Sequence, residues 1–146
     1  MMTDMPSKVV ATIGPPEDIA AINGIIDQLY RAFFDRDADQ LMSHFIRDPD
    51  DRFVVFDFSP PLMDIGWRNA YEKSLAFFAQ LNGPANISWE ERRITVEGHM
   101  AFVTARLECR ATTCSGDAIS LTGRSTIIFQ KISGVWLIVH EHDSCL

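Results

Sequence analysis

Near the C-terminus, His140, Glu141, His142 and Asp143 place four ionisable side chains in consecutive positions. On a strand they alternate, so the two histidines share one face and the two carboxyls the other. Histidines facing a pocket would serve as acid and base near neutral pH, with Arg124 on the neighbouring strand orienting a substrate carboxylate or enolate. Asp57 is the second focus, because it is the one charged residue in the run Phe53 to Phe58. Apolar company raises a carboxyl's pKa and suits it to act as a base. The alternative for Asp57 is a carboxylate that caps the proline turn at Ser59 to Leu62.

Other chemistries have weaker support in the residues. The His-x-His spacing invites a metal, but two histidines on a strand without an evident third ligand do not make a site, so no metal is expected. Cys109, Cys114 and Cys145 are odd in number and contain no CxxC pair, which reads as reduced, structural thiols. His44 and His99 read as solvated residues at a helix end and a turn. No glycine-rich phosphate loop and no nucleophile elbow is present, so the expected chemistry needs no cofactor.

These residues must be positioned by recognisable elements. Ile19, Ile22, Ile26, Leu29 and Phe33 recur at helical spacing after Glu17 and Asp18, giving helix one. Asp37 with Gln40 makes a capping pair for a short second helix that buries Leu41, Met42 and Phe45. Phe53 to Phe58 reads as a strand closed by Ser59, Pro60 and Pro61. After Gly66, Trp67, Tyr71, Ser74, Leu75, Phe78 and Leu81 line one side of helix three, which Asn82 and Gly83 end. Ile87 to Glu97, Met100 to Thr113, Ile119 to Gln130 and Val135 to Ser144 then form an antiparallel meander.

This order predicts an α+β fold in which three N-terminal helices pack in a strongly curved, mainly antiparallel sheet, a cone-shaped α+β barrel. Residues 1–16 read as a flexible arm and 17–146 as one domain. Phe33, Phe56, Trp67 and Tyr71 offer aromatic surface either for the core or for a ligand, and Trp67 stands at the entrance of helix three, beside the proline turn.

Which face of the last strand points inward depends on the hairpin at Ser133 and Gly134. A bulge there puts Leu137, Val139, Glu141 and Asp143 inside and leaves the histidines outside. A strict two-residue turn puts the histidines with the apolar set. In the first case Trp136, Phe102, Ile138, His140, His142 and Arg124 form an outer surface suited to a homodimer.

The chain has 146 residues, 47% hydrophobic and 23% charged, with a formal net charge of -7. That size suits one domain with a real core. The acidic balance argues against a nucleic-acid or anionic-membrane partner. No apolar run approaches membrane-spanning length and the start lacks a signal-peptide pattern, so a cytoplasmic location is expected.

The string VVFDFSPPLMDIGWRNAYEKSLAFF resembles the strand, proline turn and third helix of SnoaL-like and ketosteroid isomerase-like proteins of the nuclear transport factor two-like superfamily. GRSTIIFQKISGVWLIVHEHDS resembles their last hairpin, and also that of the association domain of calmodulin-dependent kinase II. The resemblance implies that Asp57 corresponds to the carboxylate with which ketosteroid isomerases move a proton beside a carbonyl. Tyr30 lies one residue from the position of their oxyanion-binding tyrosine, while Thr126 and Ile127 stand where their second acid would be. It further implies a small hydrophobic organic ligand and, as one reading, isomerisation, cyclisation or dehydration of a carbonyl compound. Asp57 would be the base, one of His140, His142, Glu141 or Asp143 the complementary group, and Tyr30 or Arg124 the hydrogen-bond donor. The other reading is a non-catalytic domain that binds a ligand or assembles oligomers.

Overall fold

The computed structural model describes residues 8–145. Pro15 and Pro16 start helix α1 (Pro16–Asp35), and Glu17 and Asp18 sit at its positive end. Ile22, Ile26, Leu29 and Ala32 form its buried stripe. Arg36 ends it in the left-handed conformation. Asp37 then caps helix α2 (Ala38–Met42), its side chain accepting from Gln40 N at 3.0 Å, as the sequence pattern predicts. Helix α3 (Trp67–Ala79) begins after Gly66 at φ 87°, where a Cβ would lie 2.7 Å from Asp51 Oδ1. Only glycine fits that entry without strain.

Seven strands form one open, curved sheet: β1 (Val9–Ile13), β2 (Val54–Phe56), β3 (Met63–Ile65), β4 (Asn86–Glu97), β5 (Met100–Thr112), β6 (Ala118–Ile132) and β7 (Val135–Cys145). Their order is β1-β4-β5-β6-β7-β2-β3. The four long strands are the expected antiparallel meander, with β1 parallel to β4 at one edge and β2 parallel to β7 near the other. The fold class is the predicted one, a helical layer packed in a mainly antiparallel sheet.

Two short edge strands depart from the sequence reading. Val9–Ile13, within the expected arm 1–16, pairs with β4 although its surroundings are rich in small, polar and proline residues, and Pro16 already belongs to α1; residues 1–7 of that arm lie outside the described residues. Met63–Ile65 pairs with β2 across the proline turn. Both strands are largely exposed, and backbone pairing, of β1 to β4 and of β3 to β2, holds them in the sheet.

Alternate residues of the meander face the helices: Ile94 and Val96 of β4, Ala101, Val103, Leu107 and Cys109 of β5, and Ile127 and Phe129 of β6 are buried with the α1 stripe. Bulges interrupt this alternation twice. In β4 two residues, Glu91 and Arg92, stand against the single residue Ala105, which turns Arg92 inward. There Arg92 bonds Trp89 O at 2.8 Å, Asn23 Oδ1 at 2.6 Å and Asp27 Oδ1 at 2.8 Å, tying β4 to α1. In β7 the extra residue is Val139, since Phe129 pairs with Ile138 and Ile128 with His140.

Among the described residues no helix is long and apolar enough to cross a membrane. Ile138 is wholly buried in the core, whereas Asp37 is an exposed cap. Ile138→Ala should therefore cost about 2–5 kcal/mol and Asp37→Ala about 1 kcal/mol, measured as shifts of the urea unfolding midpoint at constant slope. Equal losses from the two changes would contradict this placement of the core.

Candidate active site

Val139 decides what the interior contains. The Ser133–Gly134 turn is tight, with Ile132 opposite Val135, so Trp136 and Ile138 point into the core. Past the bulge the alternation reverses, and Glu141 and Asp143 occupy the inner face opposite Ile127 and Ser125. Both turn readings from the sequence are thus partly corrected. The turn has two residues, yet the histidines lie outside, because the extra residue sits in the strand rather than in the hairpin.

Glu141 is enclosed by protein. Its carboxyl is raised well above the usual range, first by burial, then by the charge of Asp143 and a hydrogen bond to it, then by Asp57. Asp143 is also raised by burial, an effect countered by hydrogen bonding to Glu141 and Ser125. Its Oδ1 is buried without a hydrogen-bond partner among the described residues. Trp89 Nε1 donates to Ser125 Oγ at 3.3 Å, and Phe33 packs on Trp89 at 6.2 Å and edge-on to Phe78 at 5.7 Å. Phe33 therefore belongs to the inner wall that leads from helix α1 to the carboxyl pair.

Asp57 follows β2, whose Val55 pairs with Glu141, and its charge acts on Glu141, Asp143 and the buried Cys109 thiol. The structure does not leave it alone among phenylalanines. Lys73 Nζ reaches Asp57 Oδ2 at 3.1 Å and Asp64 Oδ2 at 3.0 Å. The other oxygen of Asp57 accepts from Phe58 N at 2.7 Å, so the carboxylate also braces the start of the proline turn. The turn-capping role and exposure to the inner cluster thus coexist in one side chain.

Asp64, Lys73, Trp89 and Ser125 were not singled out from the sequence. Lys73 had a readable signal: it lies three residues after buried Ala70 and four before Phe77, a cation within an inward stripe of α3. The burial of Asp64 had none, because β3 is too short to show a period.

The remaining expected site residues lie elsewhere. His140 and His142 flank Phe56 on the outer face, with ring centroids at 5.2 and 5.4 Å. Nδ1 of His140 donates to Val54 O at 2.7 Å. Arg124 is exposed on the same outer face of β6. Trp67 and Tyr71 stack at 5.0 Å and fasten α3 to α2, Trp67 Nε1 donating to Met42 O at 2.8 Å and the Tyr71 hydroxyl to Asp39 Oδ1 at 2.7 Å. The Tyr30 hydroxyl donates to Asn86 Oδ1 at 3.2 Å, and no hydrogen bond joins it to the inner carboxyls. Of the expected outer surface, Trp136 and Ile138 are core. His44, expected in solvent, is half-buried and its pKa is lowered by burial.

A model of the SnoaL-like domain family matches residues 22–146. The chain belongs to that family. By shape the SnoaL-like chain is similar to a candidate aromatic ring hydroxylase from Novosphingobium aromaticivorans, with TM-score 0.79, 20% identity and coverage of 91% of this chain and 92% of the other. It is similar to a candidate dehydratase of the nuclear transport factor 2-like family from Streptomyces avermitilis, with TM-score 0.77, 15% identity and coverage of 91% and 99%. It is also similar to a candidate calcium/calmodulin-dependent protein kinase II association domain from Xanthomonas campestris, with TM-score 0.73, 16% identity and coverage of 91% and 89%. At these identities the likeness is one of fold. No curated protein matches this SnoaL-like chain by sequence.

The raised carboxyl of Glu141 has a thermodynamic signature. A group that holds its proton more tightly when folded releases it on unfolding, so stability is fully present below its unfolded pKa, about 4.3 for Glu, and is lost as pH rises through the folded value. Glu141→Gln keeps the shape and removes that titration. The variant's stability relative to the parent, from urea midpoints, should rise as pH increases from about 4 towards 8. Asp18 and Asp48, lowered by hydrogen bonds, and His44 are common to both proteins and cancel in the difference. A difference that does not vary with pH would contradict the assignment.

Proposed function

We propose that this SnoaL-like protein is a cofactor-independent enzyme that moves a proton on a small hydrophobic carbonyl compound, giving isomerisation, cyclisation or dehydration. The observation that carries the reading is the pair of buried Glu141 and half-buried Asp143, with raised pKa values and one carboxyl oxygen unpartnered inside the sheet. A carboxyl held neutral in an apolar interior is a hydrogen-bond donor, and a donor aimed at developing negative charge lowers the barrier to enolate formation.

In this reading Asp57 accepts the proton from the carbon beside the carbonyl. The electron pair of the broken C–H bond moves onto the carbonyl oxygen, where the proton held by the Glu141–Asp143 pair stabilises it. Asp57 then returns its proton to another carbon, which isomerises the compound, or to a departing hydroxyl, which leaves as water. Lys73 holds the Asp57 carboxylate in place, and Phe33 with Trp89 supplies apolar wall. Ser125 adjoins Thr126 and Ile127 on β6, where the family resemblance leads one to look for the second acid, and Asp143 stands opposite Ser125 on β7. Two structural neighbours named as a candidate dehydratase and a candidate ring hydroxylase are in keeping with small-molecule chemistry.

A second reading, an assembly domain that pairs as a homodimer through its outer sheet face, draws on the exposed Phe56, Met100 and Phe102 and on the likeness to a candidate association domain. Oligomer state and turnover separate the two. The catalytic reading is tested with a panel of hydrophobic enones and β-hydroxy ketones in D2O, following deuterium incorporation by mass spectrometry. Asp57→Asn should slow exchange by about 100-fold or more while leaving the circular dichroism spectrum unchanged. Exchange at the parent rate in that variant would remove Asp57 from the mechanism.

A further inference from the structure

On the face of the sheet opposite the carboxyl cluster, a groove of about 930 Å³ crosses β4, β5 and β6. Strand register fixes its floor. Arg93 stands opposite Thr104, and Thr104 opposite Thr126; in the next row Arg106 faces Arg124 directly. Like charges opposite each other on neighbouring strands destabilise a sheet unless something neutralises them. Arg106 has its own acids, Glu91 at 3.6 Å and Glu108 in closer contact. Arg93 and Arg124 are exposed and have no acidic partner among the described residues.

The charge count points to the occupant. The groove is lined by Arg93, Arg106, Arg124 and Glu91, and Glu108, just outside the lining, pairs with Arg106; together the five groups leave one positive charge, on a chain whose formal net charge is -7. A monoanion completes that balance, whereas a phosphate dianion would overshoot it. Guanidinium forks match a planar carboxylate, and the half-buried hydroxyls of Thr104 and Thr126 lie between the two free arginines as further donors. Val10 adds apolar wall, and the volume exceeds what a bare inorganic ion needs.

We propose that this groove is a binding site for small organic acids, in which Arg93 and Arg124 clamp the carboxylate and the apolar wall receives the attached chain. The site is independent of the proton-transfer reading, because the body of the sheet separates it from Asp57, Glu141 and Asp143. It gives Arg124 a role other than the interior one that sequence alone suggests.

The test is calorimetric titration of the full chain at low salt with hexanoate, hexyl phosphate and hexanol. Hexanoate should saturate one site per chain, hexanol should not bind there, and hexyl phosphate should bind more weakly than hexanoate. Arg93→Gln and Arg124→Gln, both at exposed positions, should each weaken hexanoate by roughly ten-fold or more. Asp57→Asn should leave hexanoate affinity unchanged, so failure here and failure of the catalytic reading are distinguishable. The proposal is overturned if hexanoate does not bind, if hexanol or hexyl phosphate binds as well, or if affinity survives both arginine changes. It is equally overturned if sedimentation shows a dimer that excludes hexanoate and dissociates on Arg124→Gln, because the occupant would then be a second copy.

Discussion

A β-strand sends alternate side chains to opposite faces, and one inserted residue reverses that assignment for everything beyond it. Val139 is such a residue. Before it, Trp136 and Ile138 fill the core; after it, Glu141 and Asp143 turn inward and His140 and His142 turn out. Without the bulge the interior would hold two imidazoles and the outer face two carboxylates. The chemistry available at the end of β7, and hence the proposed active site, depends on this one irregularity.

The interior that results has an unusual charge balance. Asp57, Asp64, Glu141 and Asp143 bring four carboxyls, and Lys73 brings one ammonium. Burying several like charges is costly, and the carboxyls of Glu141 and Asp143 respond with pKa values raised above their usual range. Lys73 draws two of the carboxylates to itself, and the pair beyond its reach is the one whose pKa values rise. Lys73 on α3 thus separates two ion-paired carboxylates from the two whose pKa values burial raises. Gly123 contributes at the same end of the sheet: a Cβ there would lie 2.2 Å from Ser144 O, so glycine allows β7 to approach β6 beside Asp143.

Much of the architecture was legible in the sequence because it follows periodicity and punctuation. The α1 stripe, the Asp37 cap, Gly66 before α3 and the four long strands all announce themselves in residue type and spacing. Asp57 stood out for a physical reason, a charge in an aromatic run, although its partner Lys73 could not be paired with it before the fold was known. The inner face of β7 was not legible. The bulge falls between the partners of Ile128 and Phe129 with no residue type in β7 to mark it, and Val139 looks like any other strand valine. Trp67 and Tyr71 illustrate a different limit: aromatics suited to a ligand are equally suited to each other, and here they join α2 to α3.

The central claim is that the Val139 bulge buries a carboxyl that keeps its proton above the usual carboxylate range. The most direct measurement is a pH titration of glutamate side-chain carboxyl shifts by NMR, in protein labelled with carbon-13 at those carbons, with Glu141→Gln identifying the resonance. The account predicts that the Glu141 signal stays at its protonated position through the range, about pH 4 to 5, in which exposed glutamates titrate. A Glu141 signal that titrates with the exposed glutamates would contradict it, and with it the proton-holding pair on which the proposed reaction rests.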